Sequence, residues 1–316
     1  MPNILITGAG GLLGSAIARE LTNRGLTEGE DFFCLTKDEV NLLDRQEVVD
    51  ALRFFKENMD CDILYHCAAK VGGVKANSND NQGFFRDNVI MDDNVLDAAL
   101  ACGYKNLVGI LSTCVFPDDT EYPLVAKNID NGPPHNSNFG YAYAKRLLGY
   151  KIKTIREVTG WNWIAVIPTN LYGPMDNFNL ENSHLVPALI RKGYNAYKTG
   201  GVMEVWGDGS PLRQFVHSSD MAKLIINSLR SWNSGVPKML VCETEYSIAD
   251  VVSVIKKYFN LRDDQVVFNS SEPSGQHRKP AKSDVSDYQF ISLEDGIINT
   301  IEWFLHTMES GEKIRL

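Results

Sequence analysis

Short apolar runs alternate with amphipathic segments along the first half of the chain. The runs have the length and composition of buried strands and cover residues 3–7, 31–36, 62–68, 107–112 and 163–168. Between them, apolar residues recur at helical spacing, as Leu13, Ile17 and Leu21 do before Gly25. Residues 48–55 and 88–102 show the same spacing. This alternation predicts an α/β fold with a doubly wound parallel sheet of the Rossmann type.

The regular alternation weakens after residue 172, where short segments mix with aromatic and basic residues. We therefore expect two parts. Residues 1–172 form a dinucleotide-binding Rossmann domain, to which the chain returns around residues 214–241. Residues 173–213 and 242–316 form a smaller α/β lobe that binds the substrate.

Composition excludes several classes of protein. The chain has 316 residues with 44% hydrophobic and 22% charged side chains, as expected for an ordinary globular enzyme. Its net charge of −9 argues against a nucleic-acid partner, which would need a basic face. The six cysteines lack metal-ligand spacing, so we expect reduced thiols, no metal and a cytoplasmic location. No signal peptide and no apolar run of about 20 residues are recognised, so no membrane partner is expected.

A glycine-rich turn lies between the first predicted strand and the first predicted helix. Gly8, Gly11 and Gly14 would allow the tight turn there and the close approach of a pyrophosphate to the helix N-terminus. A glycine-rich turn is often only a turn, but its position between strand and helix favours dinucleotide binding.

The residues after the second predicted strand indicate which dinucleotide binds. Lys37 comes first and suits the 2′-phosphate of NADP, whereas an acidic residue would accept from the ribose of NAD. NADP(H) is therefore the predicted cofactor. The alternative is a solvated Lys37 with Asp38 or Glu39 on the ribose.

Two segments suggest the chemistry. Tyr141 and Lys145 are spaced to share one helix face, so we expect the ammonium to lower the pKa of the phenol. Such a phenol can protonate a carbonyl oxygen as hydride reaches the carbon, with a hydroxyl of Ser112 or Thr113 bonded to the same oxygen. Cys114 offers a second acid or base that simple carbonyl reduction does not require.

Other candidates are less specific. Cys114 alone is more often a packed core thiol, and His184 is more often structural. Trp206 and Arg213 flank a turn and could bind a base and a diphosphate, or could simply lie at the surface. Arg278, Lys279 and Lys282 add positive charge or form a solvated loop.

Taken together, six segments resemble the extended short-chain dehydrogenase/reductase superfamily. Within it they are most similar to the bifunctional 3,5-epimerase/4-reductases that act on GDP-4-keto-6-deoxy-D-mannose. The segments are AAKVGG (68–73), STCVFP (112–117), PPHNSNFGYAYAK (133–145), IPTNLYGPMDNF (167–178), SHLVPALI (183–190) and VWGDGSPLRQF (205–215).

The resemblance implies a reaction and a site. A nucleotide-sugar ketone would be epimerised at C3 and C5 and reduced at C4 with NADPH, giving GDP-L-fucose, in a homodimeric enzyme. Ser112, Tyr141 and Lys145 would carry the reduction, and Cys114 and His184 the epimerisation. The implied cofactor contacts are Gly8, Gly11, Leu12, Leu13, Gly14, Lys37, Ala68, Ala69, Lys145, Pro168, Asn170, Leu171 and His184. The implied substrate contacts are Lys192, Trp206, Arg213 and Lys279.

Two positions depart from the family pattern. Gly10 stands where some members carry an arginine near the cofactor phosphate, and Ser274 where many carry an aspartate facing the nucleotide. The second departure leaves selectivity for guanine open. Two other functions also remain: another nucleotide-sugar epimerase or dehydratase of the superfamily, and a non-catalytic NADP sensor.

Overall fold

The computed structural model describes residues 2–271, 277–312 and 314–316, so Ser274 lies outside the described residues. The strands are β1 (Asn3–Thr7), β2 (Phe32–Leu35), β3 (Cys61–His66), β4 (Asn106–Ile110), β5 (Asn162–Pro168), β6 (Asn170–Tyr172), β7 (Met203–Trp206), β8 (Leu212–His217), β9 (Lys238–Leu240), β10 (Glu245–Ser247) and β11 (Val266–Asn269). The helices are α1 (Leu12–Asn23), α2 (Arg45–Asn58), α3 (Val74–Asn79), α4 (Asn81–Cys102), α5 (Phe139–Thr159), α6 (Leu185–Thr199), α7 (Ser218–Ser231), α8 (Ile248–Phe259) and α9 (Leu293–Ser310).

The main sheet has six parallel strands in the spatial order β2-β1-β3-β4-β5-β9. The chain moves outward from β1 to β2 and then returns to β3 on the other side of β1. This reversal leaves a crevice beyond the carboxyl ends of β1 and β3, where open α/β sheets bind their ligands. The predicted Rossmann-type α/β fold is confirmed.

Successive strand residues point to opposite sides of the main sheet, so its apolar side chains emerge on both faces. Helices cover both of these faces. On β1, Leu5 packs with α2, α4 and α5, whereas Ile4 and Ile6 pack with α1 and α7. The helix α4 starts at Asn81, seven residues before the predicted 88, with the Asp80 carboxylate capping it through the amide of Gly83.

A third apolar core lies away from the main sheet and is built by α6, α8, α9 and their neighbouring strands. The strands there form a three-stranded sheet in the order β10-β8-β6 and a two-stranded pair of β11 and β7. The chain rejoins the main sheet at β9, and Asp284 bonds to both backbone groups of Met239 on that strand. No helix among the described residues is long and apolar enough to cross a membrane.

Candidate active site

The glycine-rich turn after β1 is fixed by close backbone contacts. Gly8 has a φ of +71°, and a Cβ there would lie 2.6 Å from the backbone nitrogen of Ala68, two residues beyond the end of β3. A Cβ on Gly14 would lie 2.4 Å from the carbonyl oxygen of Gly8. Both positions therefore require glycine.

Those contacts leave the start of α1 open toward the crevice. Gly11 occupies the N-cap and has no side chain that could accept hydrogen bonds from the amides of the first turn, such as those of Leu12 and Leu13. Exposed amides at a helix N-terminus bind phosphate groups. This turn fits the pyrophosphate of a dinucleotide.

Lys37 follows β2 at the edge of the same crevice and is exposed. The backbone amide and hydroxyl of Thr36 both donate to the Glu39 carboxylate, at 2.8 Å each. Glu39 is thus engaged locally. The neighbouring position Gly10 is open, since a Cβ there would meet only the Thr36 methyl group at 3.8 Å. This arrangement leaves Lys37 as the basic group at the end of β2.

Ser112 and Cys114 occupy a single turn after β4. The Ser112 hydroxyl accepts a hydrogen bond from the Cys114 amide at 3.2 Å and caps the 3-10 turn Thr113–Val115. The side-chain amide of Asn138 donates to the Cys114 sulfur at 3.0 Å. The turn thus presents a hydroxyl and a thiol side by side.

Tyr141 and Lys145 lie one turn apart on α5, as their spacing predicts. The expected direction of the Tyr141 pKa shift is wrong. Burial raises the pKa of the Tyr141 phenol far above its usual value, and the nearby Cys114 and Asp92 raise it further. The Lys145 ammonium instead pairs with the Asp92 carboxylate at 3.4 Å. Tyr141 therefore remains a protonated phenol, ready to donate.

A buried chain of polar groups holds Lys145, and sequence reasoning missed it. The Thr7 hydroxyl lies 2.7 Å from Nδ1 of His66, and Nε2 of His66 lies 2.9 Å from the Asp92 carboxylate. All four side chains are buried. A buried ammonium is tolerated when it is paired and hydrogen-bonded, which is what Asp92 provides. The sign of this chain in the sequence is Asp92, an acidic residue among the buried positions of α4.

His184 stands at the N-cap of α6, on a loop that touches the segment after β3. The amide of Gly73 donates to the carbonyl of Asn182 at 3.2 Å, which joins the two loops. The imidazole is accessible to solvent, yet the surrounding protein displaces enough water to lower the pKa of His184. A neutral imidazole can accept a proton near pH 7.

Arg213 and Lys279 bring two positive charges to the cleft beside Cys114. Burial lowers the pKa of Lys279, the nearby Cys114 and Asp118 oppose that shift, and Arg213 adds to it. Burial also lowers the pKa of Arg213, whose guanidinium donates to the carbonyl of Leu212 at 2.7 Å. Two partly desolvated cations in one place suit a diphosphate.

Lys192 and Trp206 form a second group on α6 and β7. The Lys192 ammonium donates to the carbonyl of Glu204 at 3.0 Å and lies 4.9 Å from the centroid of the Trp206 ring. Trp206 remains exposed, so one face of a large aromatic ring is available for stacking.

The remaining predicted cofactor contacts lie at or just beyond the carboxyl ends of β3 and β5. Ala68 and Ala69 follow β3, Pro168 ends β5, and Asn170 and Leu171 belong to β6. The Asn170 side chain donates to the carbonyl of Gln214 at 2.9 Å, which ties β6 to β8. Most of the predicted contacts thus border the crevice edge of the main sheet. In the part of the chain that the structure describes, no group of three or more His, Cys, Asp or Glu side chains could hold a metal ion.

This fold and site define a class of protein. Residues 4–242 match the model of the NAD dependent epimerase/dehydratase family, and the chain belongs to that family. A GDP-L-fucose synthase of Dictyostelium discoideum is 36% identical over 98% of this chain and 97% of its own length. A probable GDP-L-fucose synthase of Drosophila melanogaster is 35% identical, covering 99% of this chain and 100% of its own.

A solved structure gives the same result. The crystal structure of a GDP-L-fucose synthetase from Naegleria fowleri bound to NADP superposes with a TM-score of 0.88 and is 34% identical. The match covers 100% of this chain and 96% of that one. Within its family, the chain belongs with the GDP-L-fucose synthases.

Proposed function

We propose that this enzyme converts GDP-4-keto-6-deoxy-D-mannose to GDP-L-fucose by epimerisation at C3 and C5 and NADPH-dependent reduction at C4. The observation that carries the proposal is the thiol of Cys114 in the same turn as Ser112, within electrostatic reach of Tyr141. A plain ketone reductase uses the serine, tyrosine and lysine and has no need of a thiol there.

The crevice residues would hold NADPH. Gly8, Gly11, Leu12, Leu13 and Gly14 would cradle the pyrophosphate, and Lys37 would pair with the 2′-phosphate. When bound, the nicotinamide supplies the hydride for C4. The other residues that would contact the cofactor are Ala68, Ala69, Lys145, Pro168, Asn170, Leu171 and His184.

Epimerisation comes first and depends on the ketone. The C4 carbonyl acidifies the protons on C3 and C5, so a base on one face and an acid on the other can invert each centre. Cys114 and His184 would form this pair. The lowered pKa of His184 supports the assignment, because a neutral imidazole can take up a proton and then return it.

Reduction at C4 would use the α5 residues. The protonated phenol of Tyr141 gives its proton to the ketone oxygen, and the Ser112 hydroxyl donates a hydrogen bond to that oxygen. Lys145, anchored by Asp92, places a positive charge near the tyrosinate that forms. The raised pKa of Tyr141 leaves the phenol protonated before the reaction, and the positive charge of Lys145 would then offset the cost of forming the tyrosinate.

Arg213 and Lys279 would bind the diphosphate of the nucleotide sugar, and Lys192 and Trp206 the rest of the nucleotide. All four lie within residues 173–213 and 242–316. We infer from this distribution that these segments form the substrate-binding part of the chain. Residues 1–172, with the return at 214–241, would form the cofactor-binding part.

The test is to incubate the protein with GDP-4-keto-6-deoxymannose and either NADPH or NADH and to identify the sugar by NMR. The proposal expects GDP-L-fucose and one NADPH oxidised for each sugar formed. An enzyme that changes the sugar without net NADPH oxidation would instead be an epimerase or dehydratase that recycles its cofactor. Binding of NADPH with no change in the sugar would indicate a sensor.

Cofactor preference gives a prediction for Lys37. Changing Lys37→Asp turns an attraction to the 2′-phosphate into a repulsion. The attraction that is lost and the repulsion that is gained are each about 1 kcal/mol for charges 4 Å apart in water. Together they should lower the NADPH/NADH preference roughly 30-fold. Steady-state kcat/KM for both cofactors measures it. Lys127→Asp, the same change at another exposed lysine, should leave the preference unaltered. Equal preference in the Lys37→Asp enzyme and the parent would assign the phosphate to another residue.

A homodimer is the proposed assembly, with α4 and α5 of two copies forming a helix bundle. Large apolar side chains remain exposed on these two helices: Phe85, Ile90, Phe139, Tyr143, Leu147 and Tyr150. Large exposed apolar side chains on two neighbouring helices support a protein interface there.

Leu147→Glu should disrupt that dimer, because it would place two charges in an apolar contact. Size-exclusion chromatography with light scattering would then report a monomer of about half the parent's mass. Val202→Glu changes a similarly exposed residue outside α4 and α5 and should leave the mass unchanged. A dimeric Leu147→Glu protein would place the interface elsewhere.

We propose that the enzyme works in the cytosol. All six cysteines are unpaired thiols in the structure. Thiols persist in a reducing compartment such as the cytosol.

A further inference from the structure

Asn138 occupies an unusual position at the start of α5, the helix that carries Tyr141 and Lys145. Asparagine at an N-cap normally accepts hydrogen bonds from the first-turn amides, which stabilises the helix. The Asn138 side chain makes no such bond. Its Nδ2 donates instead to the sulfur of Cys114, 3.0 Å away. A residue well suited to capping the helix is thus committed to the thiol.

The oxygen atom of the same side-chain amide gives a second indication that Asn138 has a role beyond capping. Oδ1 of Asn138 is buried and has no hydrogen-bond partner among the residues that the structure describes. A buried carbonyl oxygen without a hydrogen-bond partner destabilises the folded state, so its position calls for a function. Rotation of the amide by half a turn would place this oxygen against the sulfur in place of the N–H.

We propose that Asn138 is the positioning residue for proton transfer by Cys114, an inference that rests on the proposed function. Its N–H donates to the sulfur when Cys114 has given up its proton, and its Oδ1 accepts from the S–H when Cys114 carries one. On one face the sulfur takes a proton from the sugar carbon, and on the other His184 gives one; both groups then return to their starting states by exchange with solvent. The amide gains and loses no proton.

The two orientations match what epimerisation demands of Cys114. An acid–base group must pass through both protonation states in every cycle, and a partner that serves only one state would trap it there. Lys279 also faces the sulfur, but an ammonium can only donate. The neutral amide can satisfy the thiolate and the thiol in turn.

Asn138→Asp is the sharpest test, since it keeps the shape and the ability to cap α5 but replaces the N–H donor by a carboxylate. A hydrogen bond to a charged group is worth about 1.5–3 kcal/mol, so deuterium incorporation at C3 and C5 in D₂O should fall about 10- to 100-fold. Alkylation of Cys114 by iodoacetamide at pH 7, followed by mass spectrometry of its peptide, should fall by a similar factor. The dissociation constant for NADPH should stay at the parent value.

Two further variants complete the design. Asn138→Ser supplies a hydroxyl that both donates and accepts, so part of the deuterium incorporation should return. Asn136→Ala removes an exposed amide from the same loop and should change neither measurement. Parent-level alkylation and deuterium incorporation in Asn138→Asp would overturn the proposal. So would a loss of Cys114 alkylation that occurs together with loss of NADPH binding, because Asn138 would then act on the cofactor site as a whole and not on the thiol.

The alkylation measurement needs no substrate and therefore stands apart from the proposed function. If the parent enzyme forms no GDP-L-fucose, the proposed reaction fails. Slower alkylation in Asn138→Asp would still support the link between Asn138 and Cys114.

Discussion

Replacing Tyr141 by phenylalanine is expected to slow reduction of the 4-keto sugar at least about 100-fold, the lower end for loss of a general acid. The change removes the phenol that burial keeps protonated and leaves a ring of the same shape in the same place. NADPH affinity should therefore be unchanged. Deuterium from D₂O should still enter C3 and C5, because Cys114 and His184 remain. Stopped-flow measurement of NADPH oxidation, with NMR of the recovered sugar, separates the two steps.

Tyr143→Phe is the matched control for this experiment. It removes the same hydroxyl from the same helix, two residues farther along, from a side chain that is 38% exposed. Tyr143 belongs to the proposed dimer interface, where phenylalanine keeps the apolar ring. Residues two apart on a helix do not share a face, so this hydroxyl cannot point at the ketone that Tyr141 meets. Near parental turnover in Tyr141→Phe would remove Tyr141 from the mechanism.

The first half of the fold could be predicted because its apolar pattern is local. Each buried strand of the Rossmann sheet is a short run, and each helix shows its own periodicity. The four long helices α6–α9 did not stand out, and two of them contain a glycine that resembles a break. Gly193 of α6 and Gly296 of α9 are packing positions instead. Added Cβ atoms there would lie 2.6 Å from Ile255 and 2.1 Å from the Tyr172 hydroxyl.

The residues of the site also differ in whether they could be predicted, depending on whether their arrangement is local in sequence. The turn Ser112–Cys114 and the pair Tyr141/Lys145 are local, so spacing placed them correctly. The partners of Lys145 are not local, since His66 ends β3 and Asp92 lies 26 residues later in α4. Helix spacing alone suggested that Lys145 would lower the pKa of Tyr141. Burial and the Asp92 carboxylate reverse that direction, and only the tertiary structure supplies them.

Cys114→Ser should separate the two activities of the enzyme, because a hydroxyl is a much weaker acid than a thiol of nearly the same size. Exchange of the C3 and C5 protons should be lost, while Tyr141 and Lys145 can still reduce C4. The expected result is slow NADPH oxidation that yields mostly unepimerised 6-deoxyhexose with little deuterium from D₂O. His184→Asn should impair the opposite proton transfer and keep NADPH binding, since the amide retains hydrogen-bonding groups but takes up no proton near pH 7.

Cys102→Ser makes the same exchange at a half-buried thiol that ends α4, and its product should be that of the parent. Product identity, more than rate, decides the experiment. A defect in folding or cofactor binding lowers all activity together, whereas loss of the acid–base pair changes which sugar is formed. A Cys114→Ser enzyme that makes GDP-L-fucose at the parental rate with full deuterium incorporation would show that Cys114 is a packed thiol. The base would then have to be sought among the other groups that face the cleft.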